Sequence, residues 1–360
     1  MDDRSRQRVR YLRTPDGVKL AWAECGTGPL LIKAANWLSH LEYDWESPVW
    51  RHWLHFFAAH TRFVRYDERG CGMTDWNVGD LSFARWVDDL EQVVGATAPP
   101  EERFALLGIS QGASACIAYA AAHPERVSAL ILYGGYALGW SRRDDPAGMR
   151  EYQAIVELTK LGWGKDNPAY REVFTSRFMP GASRVQLDWF NELCRKTSTP
   201  EIAAELLKVR ASVDVAAALE QVQAPTLVLH ARDDAVVPIA WGRHIAARIP
   251  GAEFVELDTR NHILLEDEPA WDRFRGAILE FLKLGGPATH GEDRAFAALT
   301  ARERGILALI TDGLSNAEIA ERLSLSEKTV RNHTSSVFDK LGVWTRAQAM
   351  VFARDRGFRG

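Results

Sequence analysis

The chain has 360 residues, 46% hydrophobic and 26% charged, with a formal net charge of −4. This is globular composition with room for two or three packed units, and no stretch of 18 or more uncharged apolar residues occurs, which excludes a transmembrane helix. Met1-Asp2-Asp3-Arg4 does not read as a secretory signal, and the four cysteines (Cys25, Cys71, Cys116, Cys194) form no CxxC pair, which argues against a zinc site and a disulfide framework and for reduced thiols in a cytoplasmic protein.

In chain order, Val9 to Thr14 and Val18 to Cys25 flank Pro15-Asp16-Gly17 and read as a β-hairpin. Short apolar runs follow at Leu30–Ala35, Phe63–Tyr66, Phe104–Ile109, Val127–Tyr133, Thr226–Ala231 and Phe254–Leu257. Helical stretches such as Ser82–Val94 and Gln111–His123 separate most of them. Buried strands alternating with helices predict an α/β, doubly wound parallel sheet. The alternation breaks between about 137 and 222, where the pattern is helical and rich in aromatics (Trp140, Trp163, Trp189, Phe190), and this reads as an inserted helical cap.

Gly108-Ile109-Ser110-Gln111-Gly112 is G-x-S-x-G between a buried strand and an Ala-rich helix that Pro124 stops. A serine on such a turn is held in strained backbone, with its hydroxyl pushed into the cleft and helix N–H groups behind it. A hydroxyl nucleophile needs a base, and the base an orienting acid. The strand Thr226–Ala231 ends in Arg232-Asp233-Asp234, and Phe254–Leu257 is followed by Asp258-Thr-Arg-Asn-His262. Ser110, Asp234 and His262 are therefore the expected catalytic set, with Asp233 the competitor for the acid.

These residues resemble the α/β-hydrolase family from about Val9 to Leu284. Asp67-Glu68-Arg69-Gly70-Cys71-Gly72 is similar to that family's D-x-R-G-x-G turn, a structural feature. The resemblance implies that the 137–222 insert covers the pocket, and that the N–H groups of Asn36 and Gln111 form the oxyanion hole. Where the family usually carries His-Gly before that loop, this chain carries Ala34-Ala35, a departure that predicts slow turnover. Trp37, Trp45, Trp50 and Trp53, interleaved with His40 and His52, either pack the core or, with Trp37 foremost, line an apolar ligand site for an acyl or aromatic ester, lactone or amide. No cofactor or metal is expected.

Residues 285–298 are a linker by composition. From His290 to Gly360 there are 11 Lys and Arg against 9 Asp and Glu, an excess of +2 against −6 for the remainder. Capping boxes at Thr300/Glu303, Ser315/Glu318, Ser324/Glu327 and Thr345/Gln348, with Gly313 and Gly342 as C-terminal caps, predict four short helices near 301–312, 316–323, 326–341 and 346–354. Ser326 is the alternative cap for the third. A short turn joins the second and third helices, as in a helix-turn-helix. On the third, Val330, Thr334, Val337 and Leu341 form an inward face and the opposite side is polar. That face is either solvated on a docking module or a nucleic-acid surface.

The strings Leu299-Thr-Ala-Arg-Glu-Arg-Gly-Ile-Leu, Gly-Leu-Ser-Asn-Ala-Glu-Ile-Ala-Glu-Arg-Leu, Ser-Glu-Lys-Thr-Val-Arg-Asn-His and Asp-Lys-Leu-Gly-Val closely resemble the LuxR-type DNA-binding domain over about 299–356. The resemblance implies double-stranded operator DNA as partner, with Arg331, Asn332 and Ser335 at base edges and Lys328, Thr329 and Lys340 at phosphates. It also implies a homodimer paired through the last helix.

The expected domains are a hydrolase-fold domain at 1–284, the linker, and a small all-α, four-helix DNA-binding domain at 299–360. The expected function is a DNA-binding transcriptional regulator that binds, and slowly hydrolyses, a small acyl ligand. The alternatives are an efficient esterase with a DNA-binding tail, and a regulator with a catalytically inert sensor domain.

Overall fold

The computed structural model describes residues 7–284, 296, 299–323, 325–343 and 345–355. The chain divides into two compact units, Met1–Leu282 and Lys283–Gly360. Of the linker read at 285–298, all but Phe296 lies outside the described residues.

The first unit holds eight strands: β1 (Arg8–Arg13), β2 (Lys19–Cys25), β3 (Leu30–Lys33), β4 (Arg62–Tyr66), β5 (Phe104–Ile109), β6 (Val127–Tyr133), β7 (Thr226–Ala231) and β8 (Glu253–Leu257). They form one sheet in the order β1-β2-β4-β3-β5-β6-β7-β8. β1 and β2 are the expected hairpin, Gly17 supplying the positive φ of 93° in its turn. β2 pairs antiparallel with β4, and all later pairings are parallel. Every residue of β5 and β7 is buried, as strands covered by helices on both faces must be.

The chain steps outward from β3 to β4, then crosses back to β5 and continues the other way. Such a switch point opens a crevice beyond the carboxyl ends of the strands on either side of it. Asn36 follows β3 and Ser110 follows β5, so topology alone brings these two loops together.

The helices of this unit are α1 (Leu41–Trp45), α2 (Arg51–His60), α3 (Phe83–Thr97), α4 (Gly112–Ala122), α5 (Pro146–Gly162), α6 (Ala169–Phe178), α7 (Arg184–Thr197), α8 (Pro200–Ser212), α9 (Ile239–Arg248) and α10 (Pro269–Phe281). α5 to α8 occupy the stretch between β6 and β7. The two ends of this excursion are tied to each other: Gly139 N–H donates to Val213 O at 2.8 Å, Val215 N–H to Ala137 O at 2.9 Å, and Leu138 bridges Asp214. Among the tryptophans, Trp53 is core, packed on Phe274 and Tyr133. Trp37 instead meets cap aromatics, stacking on Trp163 at 5.4 Å and meeting Phe174 edge-on at 4.8 Å.

The second unit contains α11 (Ala301–Thr311), α12 (Asn316–Leu323), α13 (Glu327–Leu341) and α14 (Arg346–Asp355). Reciprocal capping bonds stand at Thr300/Glu303, Ser315/Glu318 and Thr345/Gln348. Gly313 and Gly342 take positive φ of 86° and 68°. The third cap is Ser326 in place of Ser324, which lies outside the described residues: Ser326 Oγ accepts from Thr329 N at 3.1 Å. Val330, Thr334, Val337 and Leu341 are buried, with Val330 against Ile306, Ile310 and Ile319, and Val337 against Phe296 and Leu307.

Candidate active site and nucleic-acid interface

Ser110 has a φ of 54°, a left-handed conformation that costs an ordinary side chain of order 1 kcal/mol. The surrounding contacts hold it there. Its N–H donates to Tyr133 O at 2.9 Å and its carbonyl accepts from Ala113 N at 3.1 Å. The two glycines of the motif have identifiable tasks. A Cβ at Gly108 would stand 2.5 Å from Ala113 Cα, so the strand passes the helix only without one. A Cβ at Gly112 would stand 2.8 Å from Ala35 O, so the helix start passes the loop after β3 only without one.

Asp234 and His262 come from the loops after β7 and β8. His262 Nδ1 lies 2.6 Å from Asp234 Oδ2. The other carboxylate oxygen accepts from Val236 N at 2.8 Å and Val237 N at 2.9 Å, which fixes the plane of the acid. Burial works to raise the Asp234 carboxyl; His262, His230 and the Val237 N–H outweigh it and hold the group below its ordinary value. Asp233, the competing acid, is exposed. His262 is 1% exposed, and its Nε2 is buried with no hydrogen-bond partner. The His262 loop is pinned from α2, where His52 Nε2 and Trp53 Nε1 each lie 3.0 Å from Leu264 O.

Ser110, His262, Asn36, Gln111 and Trp37 all line one cavity of about 560 Å³. Ala34 and Ala35 do not take positive φ; the loop turns left-handed at Leu38, φ 61°. The conformation therefore does not require the glycine that the resemblance led one to expect at 35. Beneath the loop, buried Lys33 donates to Ala34 O at 3.3 Å and to Asn36 Oδ1. Burial lowers its ammonium to about 8. Asn36 Nδ2 in turn donates to Trp37 O at 3.1 Å.

The Asp67 turn is structural. Asp67 Oδ2 accepts from Leu41 N at 3.0 Å and Met73 N at 2.9 Å, and Arg69 is clamped by Asp89 at 2.6 Å and Asp16 at 2.9 Å. Its Glu68 reaches the cap, pairing with Arg210 of α8 at 2.8 Å, and that guanidinium lies 4.4 Å over the Trp37 ring. Sequence reading singled out neither Lys33 nor Arg210. A lysine closing the apolar run Leu30-Leu-Ile was the one available signal. Among the described residues, no group of three or more His, Cys, Asp or Glu is placed to hold a metal ion, and no helix is long and apolar enough to cross a membrane.

In the second unit, Lys328, Arg331, Asn332 and Ser335 are exposed on one side of α13. Among the described residues, Arg331 pairs with Glu327 alone, at 3.4 Å. Thr329 is half-buried, its hydroxyl 2.8 Å from the Ser326 cap. Lys340 is engaged differently: its ammonium contacts both Glu303 oxygens, at 2.9 and 2.7 Å. Lys340, Ser336 and the Thr300 N–H hold the Glu303 carboxyl down to about 2. Lys340 thus ties α13 to the start of α11.

A strained serine at a strand-to-helix turn, a buried His–Asp pair on the following loops and a capped, mostly parallel sheet define the first unit as an α/β-hydrolase; four capped helices with a helix-turn-helix define the second as a LuxR-type domain. The chain belongs to the family described as serine aminopeptidase, S33, whose pattern matches residues 53–269; residues 297–353 match bacterial regulatory proteins, luxR family. It is 27% identical over 241 residues to a putative carbamate hydrolase, RutD, of Rhizobium rhizogenes, covering 65% of this chain and 87% of that one. It is 42% identical over 81 residues to the DNA-binding transcriptional activator DevR/DosR of Mycobacterium tuberculosis, covering 22% of this chain and 36% of the regulator, so the likeness spans about a third of that protein. Among solved structures, an esterase from Exiguobacterium antarcticum superposes with a TM-score of 0.64 at 21% identity, over 77% of this chain and all of that one. A hydrolase from Pseudomonas aeruginosa gives 0.63 at 25% identity, over 76% and 98%.

Proposed function

We propose that this protein is a DNA-binding transcriptional regulator whose hydrolase-fold domain binds and slowly hydrolyses a small acyl ligand, an ester or lactone. The carrying observation is the His262–Asp234 pair, whose free Nε2 is buried beside the cavity that Ser110 lines. In this reading Ser110 Oγ attacks the acyl carbon while His262 accepts its proton, and Asp234 holds the imidazolium. The N–H groups of Asn36 and Gln111 take the oxyanion. The C–O bond to the alcohol breaks, the alcohol leaves with the proton from His262, and water then releases the acid and restores Ser110. No cofactor enters any step.

The DNA reading rests on the LuxR-type match and on the exposed polar face of α13. Arg331, Asn332 and Ser335 read base edges there, with Lys328 at phosphates and Thr329 at the helix start. Two copies paired through α14 would read half-sites about one helical turn apart.

The deciding experiment is labelling with an active-site fluorophosphonate, Ser110→Ala as control, beside a panel of short-chain aryl esters. Labelling lost in the variant supports the hydrolase. A folded protein that neither labels nor turns over refutes hydrolysis and leaves the cavity a receptor site, whose ligands then show through altered operator binding.

A further inference from the structure

The cavity wall carries a cation in an unusual setting. Arg143 follows the short 3-10 turn Trp140–Arg142 and faces the same cavity as Ser110. Its guanidinium lies 4.2 Å over Trp140 and 4.2 Å over Trp241 of α9, with Tyr136 at 5.5 Å. Arg143 Nε donates to Leu138 O at 2.9 Å. Two aromatic planes and one hydrogen bond fix the fork in place before any ligand arrives.

The outer edge of that fork is unused. Nη2 is buried without a hydrogen-bond partner, and Arg143 makes no ion pair among the described residues. The other two cavity arginines differ. Arg177 pairs with Glu151 at 2.9 Å, and Arg210 pairs with Glu68 at 2.8 Å, so although Arg210 also keeps unpartnered nitrogens its charge is already met. The nearby acids do not neutralise Arg143: Asp145 caps α5 through Gly148 N at 2.9 Å, and Asp144 is exposed. Burial lowers the Arg143 guanidinium to about 10, which leaves it cationic at neutral pH. A buried, unpaired donor on a charged group is costly, and a carboxylate is the planar acceptor that satisfies it bidentately.

We infer that Arg143 is an anchor for a carboxylate on the acyl ligand, so that the preferred substrate is the half-ester of a dicarboxylic acid, its free carboxylate on Arg143 and its ester carbonyl at Ser110. This rests on the hydrolytic reading above and sharpens its substrate class. Trp37, Phe174 and Tyr152 add an apolar stretch to the same wall, which suits the methylene chain between the two ends.

The test compares mono-p-nitrophenyl adipate and suberate with their ω-methyl esters, after subtraction of spontaneous hydrolysis. The full-length protein should favour the free carboxylate at least tenfold in kcat/KM, chiefly through KM. Arg143→Gln should bring that ratio to about 1, and Arg143→Lys, which keeps the charge without the fork, to an intermediate value. Tryptophan fluorescence gives a second readout, with monomethyl suberate titrated against dimethyl suberate. Hydrolysis of both ester types without preference, or a ratio unmoved by Arg143→Gln, overturns the inference and leaves the hydrolase standing. Absent turnover together with Arg143-dependent binding of monomethyl suberate upholds the anchor and refutes hydrolysis. Neither turnover nor carboxylate-selective binding refutes both.

Discussion

Lys33 is buried at the end of β3 and its ammonium donates to the side-chain oxygen of Asn36, the residue proposed to open the oxyanion hole. Two donor–acceptor links in series, Lys33 to Asn36 and Asn36 to Trp37 O, fix the loop without a glycine. Lys33 is a positioning residue. Lys33→Met should lower kcat for an aryl ester by about tenfold with KM changed less than about twofold. Equal loss in kcat and KM, tracking a fall in melting temperature, would instead mark a purely structural lysine.

The close pass between Gly112 and Ala35 makes a sharper test of the same loop. Gly112→Ala puts a methyl group 2.8 Å from a backbone oxygen, and one of the two must move. Esterase activity should fall by about 10²-fold while the far-ultraviolet circular dichroism is kept. Gly95→Ala and Gly276→Ala are the controls: both glycines sit inside helices, α3 and α10, with nothing within 4 Å of an added Cβ. Each should stabilise by about 0.4–1 kcal/mol in urea unfolding.

His52 gives the hydrolase unit an acid-sensitive latch. Burial lowers its imidazole from 6.5 to about 4, against the opposing pull of Leu264 O. Between these two values the unfolded chain binds the proton and the folded chain does not, so stability rises with pH across the window. The contribution is complete above pH 6.5, declines as pH falls, and is gone below about 4, roughly 3 kcal/mol in all. Urea midpoints measured from pH 7 to 4 should fall steeply for the parent chain and less steeply for His52→Gln.

On α13 the structure separates two kinds of basic residue. Arg331→Ala should relax base preference at one operator position, costing about 1–3 kcal/mol there. Lys328→Ala should weaken all sequences alike and reduce the salt slope by about 1. Lys340, expected from resemblance at a phosphate, is bound to Glu303. Lys340→Ala should therefore lower the unfolding midpoint of the second unit, and Glu303→Gln should reproduce that loss. An unchanged midpoint with a reduced salt slope would return Lys340 to the DNA.

The parts legible in the sequence are those in which local pattern and tertiary role coincide. Ser110, Asp234 and His262 each stand just beyond an apolar run that becomes a strand, so chain order alone implied that they share one end of the sheet, and all three line the same cavity. The reciprocal caps of α11, α12 and α14 involve residues three apart and need no tertiary knowledge. Arg143 and Arg210 gave no such signal, because each owes its role to a partner elsewhere: Arg143 to Trp241 on α9, Arg210 to Glu68 after β4. Isolated cations read as solvated surface until the fold shows which are enclosed. The third cap shows the limit of local rules. Ser324 and Ser326 are both acceptable chemically, and the hydrogen bond from Thr329 N selects Ser326.

The stretch from α5 to α8 leaves the sheet and returns to it at one spot, where Gly139 meets Val213 and Ala137 meets Val215. It is thus a closed excursion hung from a two-rung ladder. Exchange of everything beyond that ladder for a different helical segment would leave the strand register and the elbow as they are while replacing Arg143, Arg177 and Arg210 together, but the His262 loop would lose Phe178 O, which accepts from Ile263 N at 3.1 Å, and Gly181 N, which donates to Asn261 Oδ1 at 2.9 Å. In such an architecture the elbow and the cover of its pocket can be inherited separately, through two crossovers on the chain that fall at one place in space.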